Sequence, residues 1–205
     1  YAAGERDYMF SLVRRSSRMS FYMLLVLVIP LLLNTDAVLG LWLKDVPAHT
    51  CLFVQLFLIF ALSESLSNPM ITAMLSTGRI RNYQIVVGGI QLMNIPVSYL
   101  FLKAGAAPEV TVMVAIVLSQ ICLFARLVML NRETGFPVLE FVGKVYAKSL
   151  FLILPIALSV PVLFDSFKPE GWTGLISSVG LCVIWSASVV YFIGLDRSER
   201  GMIRE

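Results

Sequence analysis

The sequence predicts an all-α membrane protein, a polytopic helical bundle with six transmembrane helices. Of its 205 residues, 58% are hydrophobic and only 14% are charged, whereas a soluble domain has about 25% charged residues. The apolar residues also form runs of about 20, the length that an α-helix needs to cross a bilayer. The runs show no alternation typical of β-strands, and hydrocarbon excludes open sheet edges.

The first predicted elements are a basic segment and the span that follows it. Residues 1–18 intersperse arginines with apolar side chains, a pattern typical of an amphipathic helix at the cytoplasmic membrane surface. The first span is predicted at 19–33. Residues 34–50 are predicted as a loop or a shallow re-entrant piece, with Trp42 at the boundary between membrane and water.

Five more spans and a charged tail complete the predicted bundle. The ranges are 51–74, 83–102, 109–130, 145–164 and 172–195 for the spans, and 196–205 for the tail. Alternate loops differ in charge, with thirteen Lys and Arg residues on one side and three on the other. By the positive-inside rule, the basic side and both ends of the chain are predicted to be cytoplasmic.

The second span carries polar residues inside an apolar run. Glu64 lies near its middle, and Ser67, Asn68, Pro69 and Thr72 follow. A charge at this depth costs at least ~2.5 kcal/mol, so Glu64 is expected to face protein or water rather than lipid. Asn68 and Thr72 follow Glu64 at helical spacing, and Pro69 interrupts the helix because it has no N–H. We interpret this face as the lining of a transport pathway; a hydrogen-bonded seam between helices is the alternative.

The third span repeats this combination, with Gln91 and Asn94 before Pro96. Interrupted helices with polar groups at mid-depth are typical of transport pathways. Glu64 is also a hypothetical proton-binding group, since ionisable residues inside spans are commonly functional.

Metal and enzyme chemistry find little support in the sequence. His49 is the single histidine, and Cys51, Cys122 and Cys182 lack metal-ligand spacing. There is no Gly-rich phosphate loop and no convergent set of acid and base residues. We therefore predict no metal, no cofactor, no enzymatic activity and no nucleic-acid partner.

Four stretches resemble the polysaccharide-biosynthesis flippases of the multidrug/oligosaccharidyl-lipid/polysaccharide (MOP) exporter superfamily, closest to the lipopolysaccharide or O-antigen branch. They are YAAGERDYMFSLVRRSSRMSFYMLL, GLWLKDVP, ESLSNPMITAMLSTGRIRNYQIVVGGIQLMNIPVSYLFLKAG and RLVMLNRETGFPVLEF. The resemblance runs over nearly the whole chain.

This resemblance implies a transporter with two lobes that rock around a central cavity in the bacterial inner membrane. Its cargo would be a polyprenyl-diphosphate-linked oligosaccharide, moved from the cytoplasmic to the periplasmic leaflet. The chain would form most of the second lobe and the last two helices, with the first lobe and membrane lipids as partners. The residues expected to contact the diphosphate, through bidentate guanidinium groups, are Arg14, Arg15, Arg18, Arg79 and Arg81. No basic residue is expected at mid-depth.

Three alternative functions remain open. A cation-coupled drug exporter of the same superfamily would favour an acidic cavity, which Glu64 fits and the basic inner mouth does not. A membrane glycan ligase or acyltransferase would need a large outer loop with Arg or His. A structural membrane subunit would need no mid-depth carboxylate beside a proline.

Overall fold

A computed structural model of the chain describes residues 6–43, 45–165 and 171–194, with side chains described except at 157–165, 171–173 and 175. All regular structure in these ranges is helical, which confirms the predicted all-α class. The α-helices are α1 (Arg6–Leu33), α2 (Thr35–Trp42), α3 (Thr50–Ser65), α4 (Asn68–Ser76), α5 (Ile80–Leu92), α6 (Asn94–Lys103), α7 (Val110–Thr134), α8 (Val138–Phe141), α9 (Lys148–Asp165) and α10 (Gly171–Val189). Two π-helical segments, Val142–Ala147 and Val190–Gly194, follow α8 and α10.

Five helical stretches among the described residues are long and apolar enough to cross a membrane. They are Arg6–Leu33, Thr50–Ser76, Ile80–Lys103, Val110–Thr134 and Ile176–Gly194. These stretches correspond to the first four predicted spans and to the sixth. The predicted span 145–164 is covered by α9 from Lys148 onward, but its side chains beyond residue 156 lie outside the described residues. The membrane-helix character is therefore established, and the count of six spans stays a prediction.

The first helix differs from its prediction. Residues 1–18 are predicted as an amphipathic helix at the membrane surface that leads into the first span, whereas from Arg6 onward they are part of one unbroken 28-residue helix, α1. It contains no glycine, and its proline lies near its end at Pro30, so no residue interrupts the helix at position 18. Val13 and Ser17 are buried, and Phe10 packs edge to face on Phe136 with ring centroids 5.3 Å apart. This part of α1 therefore belongs to the bundle.

The stretch 34–50, predicted as a loop or a shallow re-entrant piece, contains the short helix α2. Asn34, between α1 and α2, donates a hydrogen bond from Nδ2 to the Pro30 carbonyl of α1 at 2.8 Å. Trp42, at the end of α2, is exposed, as a residue at a membrane boundary would be.

The α3–α4 span lies at the centre of the bundle, between α1 and α7. Helix α3 packs on both α1 and α7, and α4 does the same. The core between them includes Tyr22 and Leu25 of α1, Met70 of α4, and Leu123 and Leu127 of α7, all fully or almost fully buried. Helices α5 and α6 pack on the other side of α7, and α9 and α10 pack on α1.

At one end of the bundle, a histidine joins the starts of α3 and α7. His49, directly before α3, contacts the carboxylate of Glu109, which is buried directly before α7. The pKa of Glu109 is lowered because its carboxylate accepts a hydrogen bond from its own backbone N–H and another from His49. His49 has a φ of 72°, an uncommon conformation for a residue other than glycine.

This contact predicts an acid-sensitive stability. Because folding lowers the pKa of Glu109 from its ordinary value of 4.5, the ionised carboxylate stabilises the folded protein above that pH. The contribution is lost as the pH falls from 4.5 through the folded value. In detergent, the melting temperature measured by circular dichroism should therefore fall less on acidification in Glu109→Gln than in the wild type. Asp45→Asn, at an exposed carboxylate, should keep the wild-type pH dependence, and equal slopes in all three proteins would contradict the assignment.

The last described residue, Gly194, packs too closely for a side chain. A Cβ atom there would lie 3.1 Å from Tyr22 Cε2 and 3.3 Å from Leu152 Cδ2. Tyr22 and Leu152 are both buried, so neither ring nor methyl group has open space to move into. The end of the α10 stretch therefore packs closely against α1 and α9.

We expect Gly194→Ala to lower the free energy of unfolding by ~1–3 kcal/mol through overpacking. The matched control is Gly180→Ala in α10, where nothing lies within 4 Å of the added Cβ. Thermal unfolding of both variants in detergent tests the contact, and equal stability of the two would show that the packing at Gly194 is loose.

Candidate functional site

The second span is interrupted between α3 and α4, directly before Pro69. Helix α3 ends at Ser65 and α4 begins at Asn68. Pro69 has no N–H to offer the Ser65 carbonyl, one turn earlier. The neighbouring carbonyl, that of Leu66, accepts a hydrogen bond from Ser17 Oγ of α1 at 3.0 Å. The interrupted turn is thus attached to α1 by a side chain.

An ion pair between α3 and α7 lies two residues before this interruption. Glu64 Oε2 is 3.4 Å from Arg126 Nη1. The Arg126 side chain is only 3% exposed and that of Glu64 is 22% exposed. The Tyr83 side chain of α5 is buried near the Arg126 guanidinium. Three spans therefore meet at one charged cluster, which we call the Glu64–Arg126 cluster.

The Glu64–Arg126 cluster is incompletely hydrogen-bonded. Glu64 Oε1 and Arg126 Nε are both buried, and neither has a hydrogen-bond partner among the described residues. The single contact of 3.4 Å is long, because charge-assisted N–H···O bonds are about 2.7–2.9 Å. Buried ion pairs need good geometry and additional hydrogen bonds to repay their desolvation. The two ions therefore retain capacity to bind another polar group or to rearrange.

Arg126 is a basic residue buried inside the bundle. The prediction that no basic residue lies at mid-depth of the membrane stays a prediction. The position of Arg126 near the predicted end of the span, residue 130, assigned it to the basic cytoplasmic end. Helix α7 instead continues to Thr134, which places Arg126 about two turns before its end, facing Glu64. The sequence did hold a signal for the pair: each residue is a charge inside a predicted span, and such charges usually pair with one another.

Asn68 and Thr72 lie in a different place from Glu64. They line a groove of about 400 Å³ between α1 and α4, together with Ser16 and Ser76 and several apolar side chains. The Ser67 N–H bonds to the Glu64 carbonyl at 2.9 Å, so the turn between them is tighter than α-helical. This tightening breaks the regular spacing that would align Glu64 with Asn68 and Thr72. Ser67 itself is buried, and its hydroxyl has no hydrogen-bond partner among the described residues.

Gln91 and Asn94 line a third place, a groove of about 190 Å³ beside Phe60 and Ser119. The span is interrupted here as well, since α5 ends at Leu92 and α6 begins at Asn94, with Pro96 in its first turn. Asn94 Oδ1 accepts a hydrogen bond from Ser98 Oγ at 3.0 Å. The predicted pathway residues thus occupy three separate positions rather than one shared cavity, and Glu64 lies at a helix–helix contact.

The five predicted head-group arginines are distributed over two elements. On α1, Arg14 pairs with Glu140 at 3.5 Å, and Arg15 and Arg18 are half-buried. At the start of α5, Arg79 pairs with Glu133 at 2.8 Å, and Arg81 is exposed. Arg14 and Arg79 therefore contact carboxylates from other helices, and Glu140 is shared between Arg14 and Lys144. No cluster of three His, Cys, Asp or Glu side chains that could bind a metal occurs in the part of the chain that the structure describes.

Comparison of the chain with protein-family models, with curated proteins and with solved structures gives no match. The likeness to the MOP superfamily therefore depends on the four sequence stretches alone and stays a prediction.

The Glu64–Arg126 cluster predicts an asymmetric response to mutation. Glu64→Gln leaves a buried, uncompensated guanidinium, and we expect a loss of ~3–5 kcal/mol of stability. The double variant Glu64→Leu with Arg126→Leu removes both charges and should recover most of this loss. Unfolding in detergent, followed by circular dichroism, measures both effects.

The control for this prediction is the surface pair of Arg79 and Glu133, in which Arg79 is 76% exposed. Glu133→Gln should cost at most ~1 kcal/mol. If Glu64→Gln lowered the free energy of unfolding no more than Glu133→Gln does, the cluster would make no special contribution to stability.

Proposed function

We propose that the chain is part of a transporter that moves a polyprenyl-diphosphate-linked oligosaccharide from the cytoplasmic to the periplasmic leaflet of a bacterial inner membrane. The observation that carries the proposal is the incompletely bonded Glu64–Arg126 cluster directly beside the interruption of the α3–α4 span. The sequence resemblance to MOP flippases supplies the class of cargo.

The Glu64–Arg126 cluster favours a protein that changes conformation over one with a purely structural role. A structural joint gains nothing from a buried ion pair, because apolar side chains of similar volume stabilise a core equally well or better. Charged residues inside spans are expensive and mark functional positions. Helix interruptions at residues 66–67 and at Met93 give two neighbouring spans a point at which they can bend.

The basic residues favour an acidic cargo. Arg14 and Arg79 already bind carboxylates, Glu140 and Glu133, at the surface of the bundle. A diphosphate offers the same bidentate oxygen geometry with more charge, so it can replace a carboxylate at such a guanidinium. The inner-mouth arginines are therefore proposed to receive the diphosphate.

The pairing of Glu64 also weakens the drug-exporter alternative. That alternative depends on a free carboxylate attracting a cationic drug. In the structure the Glu64 carboxylate is compensated by Arg126, so the cluster has no negative charge in excess. The hypothesis that Glu64 binds a proton stays a prediction.

Reconstitution of the full-length protein tests the function. Proteoliposomes would contain a fluorescent polyprenyl-diphosphate oligosaccharide, and a membrane-impermeant reductant would report the fraction in the outer leaflet. We expect the protein to accelerate exchange between leaflets, and Arg126→Gln to slow it, whereas Asp45→Asn, in an exposed position, should behave as the wild type. Absence of exchange together with export of a cationic dye would replace this proposal with the drug exporter.

A further inference from the structure

A groove of about 710 Å³ runs along the outside of the bundle between α5 and α7. It is separate from the Glu64–Arg126 cluster and from the residues predicted to form the pathway. Its volume falls within the ~300–1,000 Å³ typical of sites for small organic molecules. Its walls include Asn82 and Val86 of α5 and Ile121, Phe124, Val128 and Arg132 of α7.

Most of the groove is apolar and exposed. Ile121, Phe124 and Val128 are each between 44% and 48% exposed, and Val86 is 42% exposed. These side chains lie within two of the stretches that can cross a membrane, Ile80–Lys103 and Val110–Thr134. In a bilayer, the natural neighbour of such a surface is hydrocarbon.

One end of the groove is polar and carries a positive charge in excess. Arg132 lies there beside the Asn82 amide, and it has no ion-pair partner among the described residues. Glu133 lies next to it, but its carboxylate is bound by Arg79 at 2.8 Å. Two guanidinium groups thus face one carboxylate, and the Arg132 charge is left for an external anion.

The length of the groove matches one leaflet. Ile121 and Arg132 are eleven residues apart on α7, which corresponds to ~16 Å along the helix. The hydrocarbon core of a bilayer is about 30 Å thick, so the groove extends through about half of it. A molecule with its charge at Arg132 would end near the middle of the membrane.

We propose that the α5–α7 groove binds one anionic glycerophospholipid. Its phosphate lies against the Arg132 guanidinium and the Asn82 amide, and one acyl chain extends over Val128, Phe124 and Ile121. The excess positive charge distinguishes this occupant from a zwitterionic lipid, whose own cation would oppose Arg132. It also disfavours an apolar helix from a partner, which would cover the walls and leave Arg132 without an anion.

Photochemical labelling tests the site in the full-length protein. The protein would be placed in nanodiscs that contain phosphatidylglycerol with a diazirine at the end of one acyl chain, and mass spectrometry would locate the labelled residues. We expect labelling of α7 around Ile121, and we expect Arg132→Gln to lower it about fivefold, because one arginine near a membrane surface contributes about this much to lipid binding.

Two further variants distinguish lipid binding in the groove from general electrostatic attraction between anionic lipids and surface arginines. Arg81→Gln removes an exposed arginine near the same end of α5 that does not line the groove, so labelling should stay at the wild-type level. Ala125→Trp fills the groove without changing its charge, so it should remove labelling near Ile121. Equal losses in Arg81→Gln and Arg132→Gln, or no loss in Ala125→Trp, would overturn the proposal.

The identity of the ligand is tested by competition. Phosphatidylcholine carrying the same diazirine should label the groove about fivefold less than phosphatidylglycerol. Inorganic phosphate should not compete, because it lacks the acyl chain. Equal labelling by both lipids would exclude recognition of the head group, displacement by phosphate would indicate a site for a free anion, and a crosslink to another chain would indicate a protein partner.

Discussion

The cost of an unpaired charge in an apolar bundle is the constraint on which the rest of this structure depends. Glu64 and Arg126 are each expensive to keep inside a membrane-spanning stretch, and each is tolerated because the other lies 3.4 Å away. Their contact sets the position of α3 along the axis of α7. Tyr83 places α5 beside the same ion pair. Three spans are thus aligned by one electrostatic requirement, although their apolar surfaces alone would permit other registers.

The same region contains an interruption of the helical backbone. The interruption at residues 66–67 follows the ion pair by two residues, and its Leu66 carbonyl is bound by Ser17 of α1. The α3–α4 span is therefore attached on one side by charge and on the other by a hydrogen bond. Both attachments are polar. A span with these properties is suited to a transporter, in which helices move while the bundle stays folded.

The arginines at the surface of the bundle differ in whether a carboxylate pairs with them. Arg14 and Arg79 contact carboxylates from α8 and α7, whereas Arg132 lies at the end of an apolar groove with no carboxylate partner in the described part of the chain. In an aqueous protein an exposed arginine needs no explanation, because water solvates it. Beside a stretch that can span a membrane, lipid phosphate is the anion available to an arginine, so the lipid proposal rests on charge and apolar shape together.

The sequence by itself determined the all-α class and the membrane character, because long apolar runs leave a backbone no other way to satisfy its hydrogen bonds in hydrocarbon. It also marked Glu64, Pro69 and Pro96 as exceptional. It did not show that α1 continues through residue 18, because hydrophobic patterning separates a surface from a core only weakly within one helix. The tertiary structure alone decided that Glu64 meets Arg126, sixty-two residues later in the chain, while Asn68 and Thr72 turn into a groove with α1. Such pairings depend on which helices become neighbours and on where a helix is tightened. The spacing of residues along one segment gives no information about either.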